Sequence, residues 1–125
     1  MHEPEYQRLY GEAMCRTDAA EALTLAATRR YLELCQQWMK SRAPVTAEDT
    51  LQVWGISREG CRAACEAVEM MFHSVGASVV RRGERLQRYF RDVQMYRVHF
   101  QSQAFSPVLR SRVQLGLPLP PPFHR

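Results

Sequence analysis

The residues most suited to acid–base chemistry lie in one short stretch, residues 86–100, with the sequence LQRYFRDVQMYRVHF. In this stretch an Arg91-Asp92 pair precedes His99 by eight residues, and apolar residues recur at helical spacing. An imidazole titrates near neutral pH, so His99 could serve as a general acid or base. By residue type alone, however, a partly buried packing histidine is the more common outcome, and we interpret His73, in MMFHSVG, as structural.

The other reactive side chains are four cysteines: Cys15, Cys35, Cys61 and Cys65. Cys61 and Cys65 are one helical turn apart, so they could present two thiolates on one face, as a zinc site requires. No second pair of ligands with zinc spacing follows, and we therefore expect no metal. Apolar helical surroundings and a polar, acidic N-terminus unlike a signal peptide indicate reduced thiols in a cytoplasmic protein.

The net charge of +4 and the isoelectric point of about 9.1 make the chain mildly basic. Six arginines could form a basic stripe: Arg81, Arg82, Arg85, Arg88, Arg91 and Arg97. Such a stripe could bind nucleic acid, meet the phosphate of an anionic cofactor, or be a solvated helix face with a few ion pairs. The solvated face is the commonest of these, and we expect no nucleic-acid partner. No apolar run is long enough for a membrane span, so we expect no membrane partner.

Three long helices must position these residues. The first is predicted over residues 5–41 from its helical apolar repeat and its many good helix formers, and it ends before Pro44. Thr46 followed by Asp49 is typical of a capping box that starts a second helix over 47–75. Two glycines, Gly55 and Gly60, leave a break near WGIS possible in that helix.

The third helix is predicted from Glu84 to about Phe105. Pro107 is expected to interrupt it, with a short helical piece continuing through VLRSRVQLG. Because the chain shows no strand pattern, the predicted fold class is all-α, an antiparallel helical bundle over residues 1–117. Residues 118–125 are predicted to be a proline-rich, extended tail. The wide apolar faces suit a four-helix bundle, so one bundle helix is expected to be missing and to be supplied by a partner surface.

The segment AVEMMFHSVGASVVRRGERLQRYFRDVQMYRVHF resembles the C-terminal helical domain of reduced-flavin-dependent monooxygenases built on the acyl-CoA dehydrogenase fold. The pattern of that family is a small-residue turn, a short connector and then lqRxwRDvxxxxxH. Here Gly76-Ala77-Ser78 forms the turn, and the helix supplies Arg88, the Arg-Asp pair and the histidine. An ordinary acyl-CoA dehydrogenase has the Arg-Asp pair without that histidine, which favours the monooxygenase branch.

The resemblance implies a role for each of these residues. His99 would be catalytic, as a base on the substrate or as a stabiliser of the flavin C4a-hydroperoxide. Gly76, Ala77, Ser78 and Arg88 would bind the cofactor, a reduced flavin (FMN or FAD) that a flavin reductase supplies. The arginines and the aspartate of the helix would mainly fix packing and subunit contacts. The implied reaction is hydroxylation of an aromatic or polyketide-like small molecule.

Two departures from the family qualify this expectation. Ala77 replaces a common second glycine, and RRGE stands where the family often has dsp.

Family members are also several times longer, and their N-terminal helical domain and β-domain hold most flavin contacts. The chain is therefore expected to work with a partner chain that carries those domains, or as a homo-oligomer. A natural small subunit, a truncated form and a non-catalytic assembly module all remain open, and a desaturase of the dehydrogenase type ranks last because no glutamate follows His99.

Overall fold

The computed structural model describes residues 4–76, 83–101 and 105–119, and within those ranges every regular element is an α-helix. The helices are α1 (Pro4–Ser41), α2 (Ala47–Ser74), α3 (Arg85–Gln101) and α4 (Phe105–Gln114). α1 and α2 form a long antiparallel hairpin, in which the start of α1 lies beside the end of α2. α3 runs back along the C-terminal half of α2, and α4 packs on its N-terminal half. The predicted all-α antiparallel bundle is confirmed.

The α1–α2 contact is made by small residues at a seven-residue repeat. Ala13, Ala20, Ala27 and Leu34 are the buried residues of α1 and recur every seven positions, the spacing of a coiled-coil seam. Gly60 faces this seam from α2, where an added Cβ would lie 3.2 Å from the Leu23 Cβ atom. The absence of a side chain at Gly60 therefore lets α2 approach the Ala20 carbonyl and the Leu23 and Thr24 side chains of α1 closely.

α2 begins with the predicted capping box. The Thr46 hydroxyl accepts a hydrogen bond from the Asp49 backbone N–H at 3.1 Å, and the Asp49 carboxylate accepts one from the Thr46 N–H at 3.2 Å. The break that Gly55 and Gly60 left possible does not occur, because α2 is continuous through both. The packing that Gly60 permits against α1 compensates for the low helix propensity of glycine.

The predicted position of the helix interruption near Pro107 is wrong. α3 ends at Gln101, and α4 already begins at Phe105, so Pro107 is the third residue of α4. A proline fits the first turn of a helix because the first N–H groups have no partner inside the helix, and its ring presets the helical φ. Pro107 therefore lies at the start of a helix and does not end one. The part of the predicted third helix at residues 102–104 lies outside the described residues.

A large residue at the crossing should separate the hairpin. Gly60→Leu places atoms where the Leu23 side chain and the Ala20 carbonyl already lie, and is expected to lower the free energy of unfolding by roughly 1–3 kcal/mol. Gly11→Ala is the matched control, because an added Cβ there meets nothing within 4 Å. That change should raise stability by about 0.5–1 kcal/mol. Urea unfolding followed by circular dichroism measures both, and equal effects would contradict the close approach.

Asp49 should make the hairpin sensitive to acid. Hydrogen bonds from Thr46, followed by the ion pair with Arg30, hold the pKa of the Asp49 carboxyl below its ordinary value. The resulting stability is fully present above the unfolded-state pKa of about 3.9 and is lost as pH falls through the lower, folded-state pKa. Unfolding measured from pH 7 down to pH 2 should show Asp49→Asn to be less stable at pH 7 and flatter below pH 4. Asp92→Asn, whose side chain is exposed, should leave the acid profile unchanged.

Candidate functional site

The N-terminal part of α3 is held on α2 by a pair of aromatic rings. The Phe72 and Phe90 rings stack at a centroid distance of 3.9 Å and an interplanar angle of 9°. The His73 imidazole lies edge-on to both rings, at 5.7 Å from Phe72 and 5.8 Å from Phe90. An aromatic cluster of this kind fixes where α3 begins relative to the end of α2.

A polar contact one turn further on fixes the rotation of α3 about its own axis. The Glu69 Oε1 atom accepts a hydrogen bond from the Gln94 side-chain amide at 2.6 Å and another from the Arg97 guanidinium. The Glu69 side chain is only 19% exposed, so solvent screens this contact less than a fully exposed pair. With Gln94 and Arg97 turned toward α2, the opposite side of α3 faces outward.

Two thiols complete the α2–α3 contact. The Cys65 thiol donates to the Val93 carbonyl at 3.9 Å, and the Cys61 thiol donates to the Tyr96 hydroxyl at 3.7 Å, beside a cavity of about 230 Å³. Burial raises the pKa of the Cys65 thiol, and the hydrogen bond with Cys61 raises the pKa of Tyr96. Cys65 therefore stays protonated near neutral pH and is a poor nucleophile. All four cysteines are free, and no three potential ligands cluster in the ranges that the structure describes.

The outward side of α3 carries an exposed stripe with two cations and two large apolar residues. Arg88, Arg91, Met95 and Val98 follow one another at spacings of three and four residues, which places them on one helical face. Met95 is 72% exposed and Val98 is 70% exposed. Neither arginine forms an ion pair with a described residue. We call these four residues the outer α3 stripe.

The predicted site residues are distributed along the whole of α3. Gly76, just after α2, is exposed with φ of +72°, a left-handed conformation that suits glycine. Ala77 and Ser78 lie outside the described residues. His99 lies in α3, although the structure describes its backbone and not its side chain. Position 99 is next to the outer α3 stripe, about 21 Å along the helix axis from Arg85, the first residue of α3.

Gly76 and the backbone of position 99 are therefore not close to each other within one chain. Position 99 lies near the opposite end of α3 from Gly76, and Arg88 lies about 16 Å from position 99 along the axis. A single small group could contact only one of these places. A cofactor that touched both would have to be extended, or would have to take the turn from one chain and the histidine from another.

Sequence reasoning missed a large apolar cavity on the hairpin. It has a volume of about 570 Å³ and lies between the end of α1 and the start of α2. Its lining residues are Tyr31, Leu34, Cys35, Trp38, Met39, Val45, Thr50, Val53 and Trp54. The signal in the sequence was a second set of apolar residues in α1, such as Trp38 and Met39, which fall outside the buried seven-residue repeat.

The sequence profile described as Acyl-CoA dehydrogenase, C-terminal domain, matches residues 2–104, which is most of the chain. The protein belongs to that family, whose members associate with flavin. No curated protein and no solved structure matches the chain. None of the helices in the described ranges is long and apolar enough to cross a membrane.

Truncating Glu69 should loosen α3 specifically. Glu69→Ala leaves the Gln94 amide and the Arg97 guanidinium without their shared acceptor, and should cost about 1–2 kcal/mol after allowance for partial exposure. Hydrogen exchange of the α3 amides should then become faster while exchange in the α1–α2 hairpin stays slow. Glu59→Ala is the control because Glu59 pairs with Arg58 and Arg62 at the surface of α2. Unchanged exchange in α3 with Glu69→Ala would contradict the role given to this contact.

Proposed function

We propose that the chain is the C-terminal part or small subunit of a reduced-flavin-dependent monooxygenase, completed by a partner chain that carries the other domains of the fold. The proposed reaction is hydroxylation of an aromatic or polyketide-like small molecule. The observation that carries the proposal is the exposed face of α3, where two arginines without an ion pair among the described residues and two large apolar residues adjoin position 99. Membership of the acyl-CoA dehydrogenase C-terminal domain family supports the flavin part of the proposal.

The chain offers a flavin only part of a binding site. The exposed guanidinium groups of Arg88 and Arg91 suit a phosphate, to which arginine can donate two hydrogen bonds in a plane. Met95 and Val98 offer apolar surface to a ring or to a second protein. The described residues of α3 form no enclosed slot for a three-ring system, so the partner chain has to supply the walls around the ring.

His99 would move a proton on the substrate. When bound, a reduced flavin supplies the electrons that let molecular oxygen react, so that one oxygen atom enters the substrate and the other leaves as water. In an aromatic substrate that carries a hydroxyl group, the imidazole of His99 would accept the hydroxyl proton and so raise the electron density of the ring. This role requires His99 to be neutral at the working pH, as an imidazole of ordinary pKa is above about pH 6.5.

The distance between the turn and the histidine favours a site shared between chains. Gly76 and position 99 lie near opposite ends of α3, so the turn of one chain would serve a cofactor whose reacting ring meets His99 of another. The partner chain or a homo-oligomer could provide that second copy of the domain. FMN and FAD fit this arrangement equally well as far as the described residues go.

A non-catalytic assembly module derived from the same fold is the second candidate. The extensive apolar surface favours it, because large apolar side chains such as Met39 and Met95 are 69% and 72% exposed. A dehydrogenase-like desaturase is the third candidate. It needs a catalytic carboxylate near the substrate, and no carboxylate lies on the outer α3 stripe.

The test is reconstitution with a co-expressed chain that carries the N-terminal and β-domains of the fold. Binding of FMN and FAD is followed by fluorescence, and hydroxylation of a panel of simple phenols is followed with a reductase and NADH. His99→Ala should lower turnover by roughly a hundredfold or more with flavin binding retained. Arg88→Ala should weaken flavin binding, whereas Arg85→Ala, which alters an exposed arginine outside the outer α3 stripe, should change neither quantity.

The pH profile separates proton transfer by His99 from a packing role. Turnover by the wild type should fall toward acid pH as the imidazole becomes protonated, and His99→Ala should lose that limb of the profile. Full hydroxylation by His99→Ala would make the assignment of His99 wrong. A complex that binds neither flavin would overturn the enzyme proposal and favour the assembly module.

A further inference from the structure

The 570 Å³ cavity at the loop end of the hairpin combines an uncharged lining with three aromatic side chains. None of its nine lining residues, all of which the structure describes, carries a charge. Tyr31, Trp38 and Trp54 supply the aromatic rings. Small-molecule sites in proteins have volumes of about 300–1,000 Å³ and linings of this kind. The cavity is therefore large enough for a two-ring aromatic molecule.

The polar groups of the lining offer little to a polar ligand or to water. The Thr50 hydroxyl already donates a hydrogen bond to the Thr46 carbonyl, at 3.2 Å. The Cys35 thiol is a weak donor and a weak acceptor. Water in such a cavity finds few hydrogen-bond partners, so an apolar ring displaces it at little cost. The lining thus favours an aromatic body over a sugar or a peptide.

A cation lies at the rim of the cavity. The Arg42 guanidinium lies over the Trp38 ring, with 4.3 Å between the guanidinium carbon and the ring centroid. Because Trp38 is part of the lining, this contact holds the positive charge beside the cavity. The contact uses ring electrons and no acceptor oxygen, so the guanidinium N–H groups can still donate to an anion. Among the described residues, no carboxylate forms an ion pair with Arg42.

The backbone of Arg42 presets this position. Arg42 has φ of 56° and is the only non-glycine residue with positive φ in the part of the chain that the structure describes. Its N–H donates to the Trp38 carbonyl at 2.9 Å, which ends α1 in a left-handed cap. Glycine is the usual residue there, because a side chain in this conformation is sterically unfavourable. The stacking of the guanidinium on Trp38 offsets part of that cost.

The charges at this end of the hairpin leave the rim positive. Its carboxylates already have cationic partners: Glu33 and Asp49 pair with Arg30, and Glu48 lies 3.6 Å from Arg110. Lys40, in the last turn of α1, adds a second positive charge near Arg42. A ligand that carries one anionic group beside its ring would therefore complement both the rim and the lining.

We propose that the cavity binds an aromatic carboxylate, with the ring system against the indoles and the carboxylate on the Arg42 guanidinium. Arginine suits this group because its planar fork can donate two parallel hydrogen bonds to a carboxylate. The binding site is separate from the outer α3 stripe. The inference does not depend on the proposed flavin chemistry, so either one can fail without the other.

Isothermal titration calorimetry of the full chain with 2-naphthoate tests the site. The wild type should bind 2-naphthoate with a Kd below about 1 mM, and should bind the neutral 2-naphthamide about tenfold more weakly. Arg42→Gly should lower the affinity for 2-naphthoate to that for 2-naphthamide. Glycine adopts positive φ freely, so this variant should melt at or above the wild-type temperature, which separates lost binding from lost folding. Arg8→Ala, near the opposite end of α1, removes the same charge and should change neither affinity.

Two native cysteines locate the bound probe. Cys35 lines the cavity, and Cys15 is exposed elsewhere on α1. Saturating 2-naphthoate should slow alkylation of Cys35 by iodoacetamide and leave alkylation of Cys15 unchanged, as measured by mass spectrometry of the peptides. Trp54→Ala should weaken both probes and remove the protection of Cys35. Circular dichroism confirms that this variant is folded.

The outcomes are distinct. Binding that protects Cys35 and loses its preference for the charged probe with Arg42→Gly supports the inference. Absence of saturable binding, equal affinity of the wild type for the two probes, or equal protection of Cys15 and Cys35 would overturn it. Binding that appears only after removal of residues 118–125 would overturn it as well, because the tail would then be the occupant. Loss of flavin binding in the reconstituted complex with 2-naphthoate binding intact would count against the proposed function alone.

Discussion

The close approach of α1 and α2 at Gly60 is the constraint on which the rest of the structure depends. The crossing is made by alanines on one helix and a glycine on the other, so the helices touch almost backbone to backbone. Close contact of small residues leaves the larger side chains of both helices on the sides of the hairpin. Those larger side chains form both the contact of α2 with α3 and the lining of the 570 Å³ cavity.

The docking of α3 shows how local contacts orient a functional face. The Phe72–Phe90 stack sets the axial position of α3, and Glu69 sets its rotation by accepting from Gln94 and Arg97. A rotation of about 180°, half a helical turn, would turn the outer α3 stripe toward α2 and the polar contact toward solvent. The exposed arginines of α3 are thus a result of where the aromatic and acidic residues of α2 lie.

Much of the fold could be predicted from the sequence because its signals are local. The length of α1 follows from its helix formers and from Pro44, and the start of α2 follows from Thr46 and Asp49. A break followed by a short helix was predicted, but its position was not, because a proline near a helix end is compatible with a stop or a start. For the site, the position of His99 on α3 was predictable. The separation of His99 from Gly76 could not be predicted, because it follows from the antiparallel order of α2 and α3. The cavities could not be predicted either, because they exist only in the packed hairpin.

The two tryptophans of the chain, Trp38 and Trp54, line the same 570 Å³ cavity, and their side chains are about half exposed, at 47% and 53%. The indole emission of the protein therefore comes from one surface only. Any molecule that fills this cavity removes water from both rings together, whereas events at α3 leave both unchanged. The chain therefore carries an intrinsic fluorescent probe of this cavity, and the wavelength of the tryptophan emission reports whether water fills the cavity.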